Sequence, residues 1–71
     1  MSSVTDFALR GDHITLDALL KATQIAQSGG HAKILIAEGL VRLDGEIETR
    51  RGRKIRAGHR VEVEGCTIQV R

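Results

Sequence analysis

Hydrophobic positions along the chain change period twice. Val4-Thr5-Asp6-Phe7-Ala8-Leu9 alternates weakly, as a short strand does, and Gly11-Asp12 closes it. Leu16, Leu19, Leu20 and Thr23 then follow the i, i+3, i+4, i+7 spacing of one helix face. Thr15 is the N-cap candidate and Asp17 lies in the first turn, where a carboxylate favours the helix dipole; the helix is predicted to stop near Thr23 or Gln24. After the connector Gln24 to Gln27, Ser28 is a second N-cap candidate. Ala32, Leu35, Ile36 and Gly39 repeat the helical spacing, with Gly39 where a left-handed C-terminal cap belongs. From there the period falls to two. Val41-Arg42-Leu43 alternates, Asp44-Gly45 is a turn signal, and Glu46-Ile47 returns. Val61-Glu62-Val63 and Cys66-Thr67-Ile68-Gln69-Val70 alternate around Glu64-Gly65, a hairpin pattern. Between them, Glu48 to Arg56 has no periodicity and is rich in Arg and Gly, which reads as an exposed loop with Ile55 anchoring its end.

Two helices this short are unstable alone and must pack on the C-terminal half. The fold class expected is α+β: a helical hairpin packed on a small, mostly antiparallel β-sheet, in one domain over residues 1–71 without repeat or linker. A chain of this length buries only about 60% of its unfolded surface, so tightly packed aliphatic side chains must hold it.

Composition narrows the function. Phe7 is the sole aromatic residue, and readers of single strands usually stack bases on rings, so an open stacking platform is not expected. Cys66 is alone and forms no internal disulfide. No signal-peptide pattern opens the sequence and no apolar run approaches a membrane span, so a cytoplasmic protein that does not engage membranes is expected. His13, His31 and His59 lack paired ligand spacing, no Ser/His/Asp or Cys/His constellation is evident, and neither cofactor, metal nor catalysis is expected.

Charge changes the picture more. The net charge of +2 conceals a division: residues 1 to 48 hold four basic against seven acidic side chains, and residues 49 to 71 hold seven against two. Such asymmetry suggests a polyanionic partner. Arg50, Arg51, Arg53 and Lys54 surround Gly52 in the exposed loop, where arginines can grip phosphates bidentately and the glycine lets a backbone approach. The plain alternative is a solvated basic loop. Ser28-Gly29-Gly30 opens the second helix with free N–H groups and no bulky side chain, which suits a phosphate, and Lys33 adds charge one turn on. The plain alternative there is a tight turn between helices. His31 falls at the third helical position, facing either RNA or the N-cap; Arg42, outward between Val41 and Leu43, and Arg56, beside Gly58, are candidates to extend the surface.

The spacing Thr15-Leu16-Asp17-x-x-Leu20, Ser28-x-x-x-Ala32-Lys33-x-Leu35-Ile36-x-x-Gly39-x-Val41, Asp44-Gly45, Gly58-x-x-Val61-x-Val63 resembles the RNA-binding domain named after the bacterial small-subunit ribosomal protein S-four, often called the αL motif. The resemblance covers about Ile14 to Val63. Many members read Arg-Leu-Asp where this chain has Thr15-Leu16-Asp17, and Ser-Arg where it has Ser28-Gly29; His31, Lys33 and the Arg50–Lys54 run look like a branch of small stand-alone bacterial members. The resemblance implies RNA binding, with ribosomal RNA or a ribosome assembly particle as the target by analogy; the missing stacking residues favour structured RNA, and a monomer that catalyses nothing is expected. The rival readings are an adaptor whose basic loop meets an acidic protein, and a small enzyme or metal binder using His31, His59 or Cys66.

Overall fold

Alternating burial along the C-terminal strands builds the sheet that carries everything else. The computed structural model describes residues 3–71, so positions 1 and 2 of the expected domain lie outside the described residues. In chain order the elements are β1 (Ser3–Phe7), β2 (Ile14–Thr15), α1 (Leu16–Ala22), α2 (Gly29–Ala37), β3 (Val41–Leu43), β4 (Glu46–Ile47), β5 (Lys54–Ile55), β6 (Arg60–Val63) and β7 (Cys66–Val70). Five strands form one sheet in the order β1-β7-β6-β3-β4, and β2 pairs with β5 separately. Val41 and Leu43, Val61 and Val63, and Ile68 and Val70 bury on the face covered by the helices. There they meet Leu16, Leu19 and Leu20 of α1 and Ala32, Leu35 and Ile36 of α2. The expected α+β hairpin-on-sheet architecture is the one observed.

The turns supply the required handedness. Asp44 and Gly45 have φ of 51° and 87°, and Glu64 and Gly65 have 46° and 83°, as two-residue hairpins with right-handed strand twist demand. Gly39 closes α2 at φ 75°. The connector after α1 stays close, with Ala26 buried and its N–H donating to the Leu20 carbonyl at 3.0 Å.

Three local features differ from the sequence reading. First, β1 runs parallel to β7, Ser3 opposite Cys66 and Phe7 opposite Val70, so one edge of the otherwise antiparallel sheet is parallel. Second, the stretch expected as an exposed loop contains β5: Ile55 pairs with Ile14 and Lys54 with Thr15. Ile55 is fully buried, and burying that side chain ties down the backbone around it. Third, Thr15 occupies the N-cap position of α1, but its side chain makes no capping bond. The carbonyl of Arg53 accepts from Leu16 N–H at 2.9 Å and that of Arg51 from Asp17 N–H at 3.1 Å. Residues distant in sequence thus cap the helix.

Candidate nucleic-acid interface

The Arg-rich segment is a pinned backbone with exposed side chains. The two carbonyl caps on α1 and the β2–β5 pair hold it at both ends. Within it, Arg53 N–H donates to the Arg50 carbonyl at 3.2 Å and closes a turn. Its charges are not equally available. The Glu48 side chain, 12% exposed, accepts from Arg50 Nε at 3.1 Å and Nη2 at 3.2 Å, and from the Arg50 backbone N–H at 3.1 Å. Arg53 Nε lies 3.7 Å from Glu48 Oε1, the oxygen that also accepts from Arg50 Nη2, an ionic contact too long for a hydrogen bond. The Arg50 side chain, with help from its backbone N–H and from Arg53, holds the Glu48 carboxyl below the usual carboxylate range. Arg56 is bound to Asp12, whose carboxyl is lowered first by Arg56 and then by His13. Arg51 and Lys54 are exposed and form no ion pair among the described residues.

The start of α2 is built differently. Ser28 Oγ accepts from His31 N–H at 3.1 Å, and His31 Nδ1 accepts from Gln27 N–H at 3.1 Å. Ser28 is therefore the N-cap its position predicts, and His31 completes a reciprocal cap. With Nδ1 accepting, the proton of the neutral ring belongs on Nε2. Of the two readings for His31, the structure shows the contact beside the N-cap. The N–H groups of Gly29 and Gly30 have no acceptor within the helix. Neither glycine has positive φ; a Cβ at Gly29 would meet nothing within 4 Å, and at Gly30 only Ser28 Oγ at 3.8 Å. Gly52 is equally unconstrained. The other five glycines all have positive φ. Backbone geometry therefore calls for glycine everywhere except at the three on this candidate surface.

Lys33 is exposed on α2 and unpaired among the described residues. The connector, with Ala26 N–H bonded to the Leu20 carbonyl, keeps the start of α2 near the end of α1, whereas the Arg-rich carbonyls cap the opposite end of that helix. Arg42 stands apart. It lies on the sheet face turned away from the helices, opposite Ile47 and Glu62. The structure thus gathers Arg50, Arg51, Arg53, Lys54 and Arg56 at one place and Ser28, Gly29, Gly30, His31 and Lys33 at another, and separates Arg42 from both.

Sequence reasoning missed the acidic partners. Glu48 and Asp12 set which cations are free, and neither carries a periodic signal. His59 lies in the loop before β6, and its ring makes a contact that no spacing announces: Nδ1 lies 2.7 Å from Asp44 Oδ2, while Asp44 Oδ1 accepts from Arg60 N–H at 2.9 Å. The Arg60 N–H, more than His59, holds the Asp44 carboxyl below its ordinary value. Asp44 is thereby a joint between the β3–β4 turn and β6. Among the described residues no group of three or more His, Cys, Asp or Glu side chains is placed to hold a metal, and no helix is long and apolar enough to cross a membrane.

A profile of the S4 domain matches residues 7–71. The chain is 48% identical over 58 residues to the "Putative RNA-binding protein YbcJ" of Escherichia coli K12, covering 82% of this chain and 83% of that protein. It is 46% identical over 52 residues to the "Probable ribosome maturation protein RlbA" of Bacillus subtilis 168, covering 73% of each. The solution structure of E. coli YbcJ, described as revealing an αL motif involved in RNA binding, superimposes with a TM-score of 0.73 at 45% identity, over 99% of this chain and 90% of that one.

Proposed function

The chain belongs to the S4 domain family, and from that premise we propose that it is a monomeric, non-catalytic RNA-binding protein that grips structured RNA through phosphate contacts. The observation that carries this reading is the pinned Arg-rich segment, which presents the unpaired cations Arg51 and Lys54 on a fixed backbone. A rigid display of cations lowers the ordering cost of gripping a polyanion. The start of α2 supplies the second contact, where Gly29 and Gly30 leave the helix end open to a phosphate and Lys33 adds charge. Arg50, Arg53 and Arg56 act behind Arg51 and Lys54, because Glu48 and Asp12 already engage them. With Phe7 the only Phe, Trp or Tyr, shape and backbone are the features read over most of the interface. The names of the E. coli and B. subtilis relatives favour an RNA target, and the latter a target connected with ribosome maturation.

The test is a titration of a labelled RNA hairpin with wild type and with the double variant Arg51→Ala/Lys54→Ala at several salt concentrations. Wild type should lose affinity steeply with salt, and the variant's slope should be shallower by about 1.8, two phosphate contacts' worth. A folded wild type without affinity for RNA at low salt overturns the reading and moves an acidic protein partner to the front.

A further inference from the structure

The basic surface does not end at Arg56. Beyond it, the turn between β1 and β2 and the end of β1 enclose an open cleft of about 430 Å³, lined by Asp6, Phe7, Leu9, Arg10, His13 and Ile14 among others. Phe7, Leu9 and Ile14 are only partly buried against the core, so the cleft wall is apolar. Backbone bonds fix that wall: Leu9 N–H donates to the Arg71 carbonyl at 2.8 Å, and Arg71 N–H to the Phe7 carbonyl at 2.9 Å.

We propose that this cleft receives one unpaired nucleobase of the bound RNA, against Phe7, with Arg10 on a flanking phosphate. This rests on the RNA-binding reading above and extends its footprint. Three observations support it. The cleft is continuous with the Arg-rich segment, since Ile14 pairs with Ile55 directly beside Lys54, and Arg56 bridges to Asp12. Its charge suits a nucleotide. Asp6 is paired with Arg71 at 3.2 Å, and Asp12 with Arg56 and with His13 at 3.4 Å, which leaves Arg10 as the cation at the rim without an ion pair among the described residues. Finally, the cleft holds Phe7, the only Phe, Trp or Tyr of the chain, and its size falls within the range of small-ligand sites. An apolar wall with a ring beside a free cation matches a base with its phosphate, and a base taken out of its stack is what a protein can hold against an aromatic side chain.

The experiment compares two RNA hairpins of one stem sequence, one fully paired and one with a single bulged fluorescent purine analogue. Wild type should bind the bulged hairpin about tenfold more tightly. The analogue's emission should change on binding, and Leu9 and Ile14 methyl resonances should shift with the bulged hairpin alone. Phe7→Leu keeps apolar bulk at a partly buried site and should erase the tenfold preference without altering affinity for the paired hairpin. Arg10→Ala should weaken only the bulged complex, by a few-fold. Equal wild-type affinity for both hairpins with unmoved methyl resonances overturns the cleft proposal and leaves the phosphate reading intact. No wild-type binding to either hairpin at low salt overturns the phosphate reading itself.

Discussion

On the proposed interface, the Arg-rich segment and the start of α2 meet the same kind of ligand with opposite resources. The first carries five cations between Arg50 and Arg56, but Glu48 and Asp12 engage three of them. The second carries one lysine, yet its helix end is bare: two glycines that the backbone does not need, and N–H groups without intrahelical acceptors. Formal charge in a sequence therefore overstates one region and understates the other. What a phosphate meets is the charge left after the protein's own carboxylates have been served, plus the backbone dipoles that no count of lysines and arginines includes.

The comparison can be broken at either region. The largest effect is expected from Ile55→Ala, which empties a fully buried site behind the Arg-rich segment and should cost about 2–5 kcal/mol. In a domain of this size that lowers the thermal midpoint by roughly 10 °C or more. Amide exchange should quicken first at Leu16 and Asp17, whose N–H groups the segment caps. A midpoint within about 2 °C of wild type would show that the segment holds its place without this anchor.

A smaller effect of opposite sign is expected from Glu48→Gln. Releasing Arg50 and the longer contact to Arg53 should tighten RNA binding and steepen its salt slope by about 0.9 to 1.8, one or two further phosphate contacts. An unchanged slope would mean that Arg50 does not reach the RNA even when freed. Acid should mimic the variant. Because the Glu48 carboxyl is held below its ordinary value, its grip on Arg50 is complete at neutral pH and is lost as the pH falls through that lowered value. The smallest effect belongs to α2. Gly29→Ala and Gly30→Ala should each raise stability by about 0.4–1 kcal/mol, since both positions accept a side chain, while weakening RNA binding. Added stability with unchanged affinity would remove the helix start from the interface.

Much of this architecture is legible in the sequence itself. Leu16, Leu19, Leu20 and Ala32, Leu35, Ile36 mark both helices by their spacing, and all six are buried. The hairpin turns at Asp44-Gly45 and Glu64-Gly65 announce themselves by residue type, as does the cap at Ser28. The illegible parts have one cause, pairing across long sequence separation. A two-residue strand such as Ile14–Thr15 is too short to show a period, and its partner lies in β5. The parallel alignment of β1 on β7 follows from how the ends of the sheet close, which no local pattern encodes. The bond between Arg56 and Asp12 and the grip of Glu48 on Arg50 belong to the same class of side-chain geometry, invisible to charge counting.

The caps that Arg51 and Arg53 place on α1 also set when the proposed binding surface exists at all. Leu16 and Asp17 are bonded to carbonyls that follow them by more than two helices and a hairpin. Closing so long a stretch of chain has an entropic cost that only the assembled core offsets. During synthesis the first helix therefore waits, uncapped, until the Arg-rich segment has been made, and the cations lack their fixed display until then. Affinity for nucleic acid becomes a property of the finished domain, and RNA that binds only this state draws the folding equilibrium toward it.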